Sequence, residues 1–168
     1  MGDSDEVLIE AVRTPTDEVR ALIGELEDVL AAEYPPEQRH GLAFDAIFQP
    51  HVRFFLARLR GAAVGCGGVA LFPDFAEVKR MYVRDSARRK GVAGAILARI
   101  EAEACGAGLS VLRLETGVRQ DAAMQLYARS GFRQCPAFGA YALKTPQSIA
   151  SSVFFEKRIG TSPGYLPI

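Results

Sequence analysis

From Val19 to Leu30 the apolar positions are Val19, Leu22, Ile23, Leu26, Val29 and Leu30. This is the spacing that lays one stripe along a helix. A start signal precedes it, with Thr14 as cap, Pro15 at the first helical position and Asp17 in the first turn, and Tyr34-Pro35-Pro36 stops it. Upstream, VLIEAVR (7–13) reads as a strand, and residues 37–50 read as a short second helix and a loop. A hairpin follows, its strands at 52–60 and 63–73 flanking a tight turn at Gly61-Ala62. Gly65, Gly67 and Gly68 inside the second strand predict a bulge or the close approach of another backbone. AEVKRMYV (76–83) alternates as a further strand, which puts Glu77, Lys79, Met81 and Val83 on one face. Beyond it the pattern predicts a helix from about Gly91 to Gly106, a strand at 110–117, a helix at 119–132 stopped by Gly131, and a last strand at 152–159. The tail, 160–168, is expected to be poorly ordered unless docked.

Hairpins early and crossover helices late imply a mixed α/β (α+β) architecture. Its centre is a mostly antiparallel sheet of about six to seven strands, flanked by about four helices. Neither a doubly wound nor an all-helical fold suits this order. No repeat or linker divides the chain, so its 168 residues read as one domain, with a core at 5–159.

Composition narrows the partners. Twenty Lys and Arg balance twenty Asp and Glu, so no global field favours nucleic acid or an anionic membrane. No apolar run is long enough to span a bilayer. The acidic start, with Asp3 and Glu6 after Gly2, suits neither a secretory signal nor a myristoylation site. Cys66, Cys105 and Cys135 are odd in number and widely spaced, and only His40 and His51 could join them. That excludes a disulfide framework and a metal-ligand pattern, and buried free thiols in a reducing cytoplasm are the expectation.

One stretch concentrates candidate chemistry. Arg88, Arg89 and Lys90 stand directly before Gly91-Val92-Ala93-Gly94, between a strand and a helix. Small residues there let backbone N–H groups approach a ligand, and a helix N-terminus favours an anion. A nucleotide P-loop pattern is absent, and GCGGVA leads into a strand rather than a dinucleotide-binding helix. A pyrophosphate fits.

Arg88-x-x-Gly91-x-Ala93 resembles the Q/R-x-x-G-x-G/A signature of the GNAT (Gcn5-related) N-acetyltransferases, and AAMQLYARSGF (122–132) is similar to that family's later A-x-x-L-Y-x-x-x-G-F helix. The resemblance runs from Val7 to the final strand and is strongest from Glu77 to Phe132. It implies the acyl-CoA N-acyltransferase fold and acetyl-CoA as co-substrate, with no metal. By that resemblance Met81, Tyr82 and Val83 would offer backbone groups to the pantetheine arm, and residues 88–94 would hold the pyrophosphate. Gln120, where many members have Asn, would line the other side with Ala123 and Tyr127.

Acetyl transfer to an amine requires the amine to lose a proton, since an alkylammonium of pKa about 10.4 has no lone pair. The oxyanion needs a donor, for which a backbone N–H at Met81 or Val83 is suited. The leaving thiolate needs a proton or a hydrogen bond. Tyr127 matches the family's tyrosine near the sulfur and is expected to serve it. Glu77, eleven residues before Arg88, is the candidate base, at an offset similar to the glutamate of the family's histone-acetylating branch; the alternatives are an ordered water, or a glutamate merely paired with Lys79 or Arg113. The cysteines are expected to be packing residues, and His40 and His51 spare surface polar groups. The acidic helix end, Glu25 to Tyr34, is expected to be a solvated face. The expected acceptor is a small primary amine. Acetylation of a protein N-terminus or lysine and a silent acyl-CoA-binding module are the alternatives. Pairing of two copies through the last strand or the tail is the oligomer expectation.

Overall fold

The apolar stripes and alternations resolve into one seven-stranded sheet and three α-helices among the residues, 6–160, that the computed structural model describes. In chain order the elements are β1 (Val7–Val12), α1 (Asp17–Glu33), β2 (Val52–Leu59), β3 (Ala62–Leu71), β4 (Ala76–Val83), α2 (Val92–Gly106), β5 (Val111–Gly117), α3 (Asp121–Arg129), β6 (Arg133–Cys135) and β7 (Ser152–Arg158). The sheet order is β1-β2-β3-β4-β5-β7-β6. Every neighbouring pair is antiparallel except β4 and β5.

The sheet is covered on both faces, so β2 is buried at nearly every position. Phe54 and Leu56 pack with Val19, Leu22 and Ile23 of α1. Phe55 and Ala57 pack with Ile96, Leu97 and Ile100 of α2. Phe55, Ile96 and Ile100 are almost fully enclosed, and truncating any of them to alanine costs about 2–5 kcal/mol.

Local chemistry moved several boundaries. The cap of α1 is Thr16, not Thr14: its hydroxyl accepts from the Val19 N–H at 3.3 Å, and Asp17 and Glu18 fill the first turn. That start leaves Val19, Leu22 and Ile23 buried, while Val29 turns to solvent. Residues 37–50 form no α-helix; two 3₁₀ turns, Pro36–Gln38 and Phe44–Phe48, take their place. The hairpin turns at Arg60-Gly61, both at positive φ, one residue earlier than expected. The short β6 was not foreseen, because three residues carry no readable period. Both sides of β7 are paired, with β5 and with β6. β6 covers only Phe154 to Glu156, and the edge strands of this sheet are β1 and β6. Residues 161–168 of the tail lie outside the described residues.

Two irregularities in β4 make a site possible. Lys79 pairs with Gly68 and Tyr82 with Cys66, so Arg80 and Met81 together oppose Gly67. Arg80 takes φ of 57° at this bulge. The extra residue reverses the alternation, which corrects the single face expected for Glu77, Lys79, Met81 and Val83: Met81 and Val83 pack on the α2 side and Tyr82 on the α1 side. Gly67 is required there, since a Cβ would sit 2.5 Å from Met81 Sδ and 2.7 Å from Ile96 Cγ2. The parallel pairing of β4 with β5 covers only Ala76 with Leu112 and Glu77 with Arg113. Beyond that the strands part.

Candidate functional site

The strand leaving the gap runs through a 3₁₀ turn, Asp85–Ala87, into the N-terminus of α2. Arg88 is pinned there by Asp85 at 3.1 Å and by a weak bond from its Nε to the Val83 carbonyl at 3.4 Å. Arg89 and Gly91 both have positive φ, 64° and 78°. Gly91 occupies the cap position without any side-chain bond to the first turn, and no acid stands in that turn. The N–H groups of the first turn are therefore left to an external acceptor, in the field of the helix dipole. Val92 is buried and anchors the helix, whereas a Cβ at Gly91 or Gly94 would meet no heavy atom within 4 Å. With Arg89 and Lys90 exposed and Ala93 half-buried beside them, residues 88–94 form an open, cationic rim around unpaired backbone donors. A pyrophosphate fits this arrangement.

The gap between β4 and β5 opens as a cleft of about 110 Å³. Leu26, Leu30 and Tyr34 of α1 line it, with residues 38–41, and its floor carries Glu77, Lys79 and Glu115. On the β5 side no strand pairs with β4 beyond Glu77 among the described residues, so backbone groups of Met81, Tyr82 and Val83 that point that way are available.

Glu77 is 4% exposed and accepts a bond from the Tyr141 hydroxyl at 2.7 Å. Lys79 Nζ sits 2.8 Å from the same Oε2 and 2.8 Å from the Tyr141 oxygen. Lys79 is thus the partner of Glu77, and Arg113 pairs with Glu156 instead. Burial, then the charge of Glu77, pushes the Tyr141 phenol well above its ordinary range. Arg80 donates to the Leu42 carbonyl at 2.9 Å and is ion-paired with Glu27. Tyr82 and Arg84 both reach Glu25. Glu25 and Glu27 of α1 are therefore not a solvated face, because they brace β4 and the residue after it, while the adjacent Asp28 is exposed. His40 is not a spare surface group either: it lines the cleft, lies edge-on to Tyr141 and is hydrogen-bonded to the Ser148 carbonyl at 2.9 Å. Burial holds its pKa below the ordinary value. His51 is exposed beside Phe72.

Gln120 faces the same cleft as the residue capping α3, its amide donating to Glu33 at 2.6 Å. Tyr34 accepts from the Arg119 N–H at 2.9 Å, and its hydroxyl fills the space where any side chain on Gly117 would stand. Ala123 and Tyr127 lie further along α3, at the core rather than in the cleft. Tyr127 is 6% exposed and packs edge-on to Phe132 at 5.7 Å, and burial pushes its phenol above the ordinary range. Its hydroxyl has no hydrogen-bond partner among the described residues.

Glu115 escaped the sequence reading. It lines the cleft, and burial raises its pKa to about 7, opposed by the neighbouring Ser152 hydroxyl and the charge of Lys79. It stands inside VLRLETG, alternating with Leu112 and Leu114, which are core, so nothing in its own segment marks it out. Cys66, by contrast, is inert: burial pushes its thiol up to about 12. All three cysteines are free. Among the described residues no cluster suits a metal, and no helix is long and apolar enough to cross a membrane.

Comparison with known proteins agrees with this geometry. The model of the Acetyltransferase (GNAT) family matches residues 20–132. The IAA acetyltransferase of Azospirillum brasilense is 42% identical over 143 residues, covering 84% of this chain and 90% of that protein. A crystal structure from Klebsiella pneumoniae, named for the acyl-CoA N-acyltransferases, superposes with a TM-score of 0.73 at 31% identity, over 94% of this chain and all of that one. A GNAT family acetyltransferase from Elizabethkingia anophelis, solved with acetyl-CoA bound, shares the fold at a TM-score of 0.63 and 17% identity, over 93% of this chain and 100% of that one. The chain belongs to the GNAT family and is an acetyl-CoA-dependent N-acetyltransferase.

Proposed function

We propose that the acceptor is the primary amine of a small molecule, acetylated directly while donor and acceptor are bound together. The observation that carries this reading is the cleft where β4 and β5 part, small, roofed by α1 and floored by charged side chains. Its dimensions suit a small molecule better than a folded protein surface.

Acetyl-CoA, when bound, supplies a thioester carbonyl carbon open to attack. The N–H groups of Gly91, Val92, Ala93 and Gly94 hold its pyrophosphate, and Arg88, Arg89 and Lys90 add local charge. Backbone groups of Met81, Tyr82 and Val83 guide the arm along β4, with Gln120 opposite. Glu77 takes the proton of the acceptor ammonium, directly or through a water. Lys79 and Tyr141 both contact its Oε2, which leaves Oε1 for that task. The amine nitrogen would form its bond to the carbonyl carbon as the carbon–sulfur bond breaks, its second proton passing to the departing thiolate, to which the Tyr127 hydroxyl would donate a hydrogen bond. Three free cysteines support the cytoplasm as the compartment.

A panel of small amines, followed by release of free CoA thiol, tests the acceptor class. Turnover of at least one amine is expected; inactivity throughout, with acetylation of peptide N-termini or lysines, overturns the reading. Glu77→Gln should remove the acid limb of the pH–rate profile.

A further inference from the structure

Most charges in the cleft are already matched. Glu77 is paired with Lys79, and Arg80 with Glu27. His40 is bonded to a carbonyl, and burial holds its pKa below the ordinary value. Two groups remain. Arg39 lines the cleft from the segment between the two 3₁₀ turns, and its Nε is buried with no hydrogen-bond partner, alone in this among the described side chains. No carboxylate lies within ion-pair distance of it among those residues. Glu115 lines the same cleft from β5 and likewise has no ion-pair partner there, with the Ser152 side chain nearby.

A buried charged donor without an acceptor is costly, and native structures rarely tolerate one without a purpose. The planar guanidinium is best satisfied by a carboxylate, which takes two parallel bonds. A half-buried carboxylate without an ion-pair partner is satisfied by an ammonium. Both needs occur in one small space, so they specify one molecule carrying both groups.

We propose that the acceptor is an amino acid or a close amino-carboxylate, its carboxylate held by Arg39 and its ammonium drawn in by Glu115 on the floor it shares with the base Glu77. This rests on the small-amine reading above and names the class of amine. The groups facing Glu115 are consistent with that orientation. Glu77 and Lys79 of β4 neutralise each other, and Tyr141, Tyr127 and Ser152 are uncharged, so the incoming ammonium is the cation that Glu115 lacks. Burial, which keeps the empty carboxyl partly protonated near neutral pH, is offset once that ammonium arrives.

The test compares proteinogenic amino acids, each with its own α-carboxamide and its decarboxylated amine, using the full chain and free-thiol release. The best amino acid should exceed its carboxamide at least tenfold in kcat/KM. Arg39→Gln should bring the acid down to the level of the carboxamide, with KM for acetyl-CoA and the melting temperature unchanged, and Arg39→Lys should restore part of the difference. Equal or better turnover of carboxamide or plain amine by the unaltered chain overturns carboxylate recognition and leaves the small-amine reading standing. Failure of every small amine, with peptides acetylated instead, overturns both. Should Arg39→Gln melt early, the acid-to-carboxamide ratio of the unaltered chain decides alone.

Discussion

The two ends of the site are built from different materials. At the N-terminus of α2 the recognition elements are backbone: an uncapped first turn, Gly91 at φ of 78°, and exposed cations that touch little besides Asp85 and a carbonyl. In the cleft between β4 and β5 the elements are side chains, tied in long-range pairs such as Glu77 with Tyr141, Arg80 with Glu27 and Gln120 with Glu33. The backbone end offers the same donors whatever the acceptor is, which suits a ligand common to a whole family. The side-chain end can be rewritten one residue at a time, which suits a ligand that differs between relatives.

The largest test of that contrast is Gly91→Glu. A non-glycine residue at this φ is strained by about 1–2 kcal/mol, and a carboxylate would stand among the donors meant for an anion. The Kd for acetyl-CoA should rise more than a hundredfold, read as loss of its thermal shift. A shift of normal size would show that the α2 terminus is not the anion site.

Next in size is the pH response of the cleft. The Glu115 carboxyl titrates near 4.5 in an open chain and near 7 when folded. Its raised value means the native state binds the proton more tightly, so native stability falls as pH rises through that window. Glu115→Gln cannot titrate. It should therefore gain on the order of 2–3 kcal/mol over the unaltered chain between pH 4 and pH 8, or roughly 5 °C in melting temperature. Parallel melting curves for the two proteins across that range would place Glu115 in water, and the cleft would lose its unmatched carboxylate.

Tyr127→Phe probes the seam between the two ends. The hydroxyl it removes has no protein partner, so the melting temperature should hold. If that hydroxyl serves the departing sulfur, a hydrogen bond to a charged group is lost, worth about 1.5–3 kcal/mol. The value of kcat should then drop at least about tenfold, with KM for acetyl-CoA nearly constant. A drop in stability with kcat unchanged would make Tyr127 a packing residue alongside Phe132 and Phe155.

The same contrast explains what could be read in advance. The loop at 88–94 and the A-x-x-L-Y helix are contiguous stretches, and contiguous chemistry is visible in a chain. The stripe on α1 and the glycines of β3 were legible for the same reason. The bulge at Arg80 was not: it depends on which residue of β3 opposes which of β4, and one inserted residue sent Met81 and Val83 to the opposite face. Arg39 and Glu115 were hidden for a related reason. Neither is unusual in its own segment; each becomes informative only when folding leaves it the unmatched member of a cleft whose other charges are paired. The role of Gly117 was equally hidden, being set by Tyr34 far away in the chain.

The smallest expected effect sharpens the comparison most. Lys90 is exposed and makes no ion pair among the described residues. If backbone donors carry the anion site, Lys90→Ala removes only a screened surface charge, worth about 0.2–1 kcal/mol. KM for acetyl-CoA should rise less than fivefold at low salt, and the difference should shrink as ionic strength is raised and the Debye length falls toward about 3 Å at 1 M. Gly91→Glu, measured beside it, should keep its defect at every salt concentration, because helix N–H groups blocked by a carboxylate are not restored by screening. A Lys90→Ala defect as large as that of Gly91→Glu would reverse the assignment and make this end of the site, like the cleft, one that recognises through its side chains.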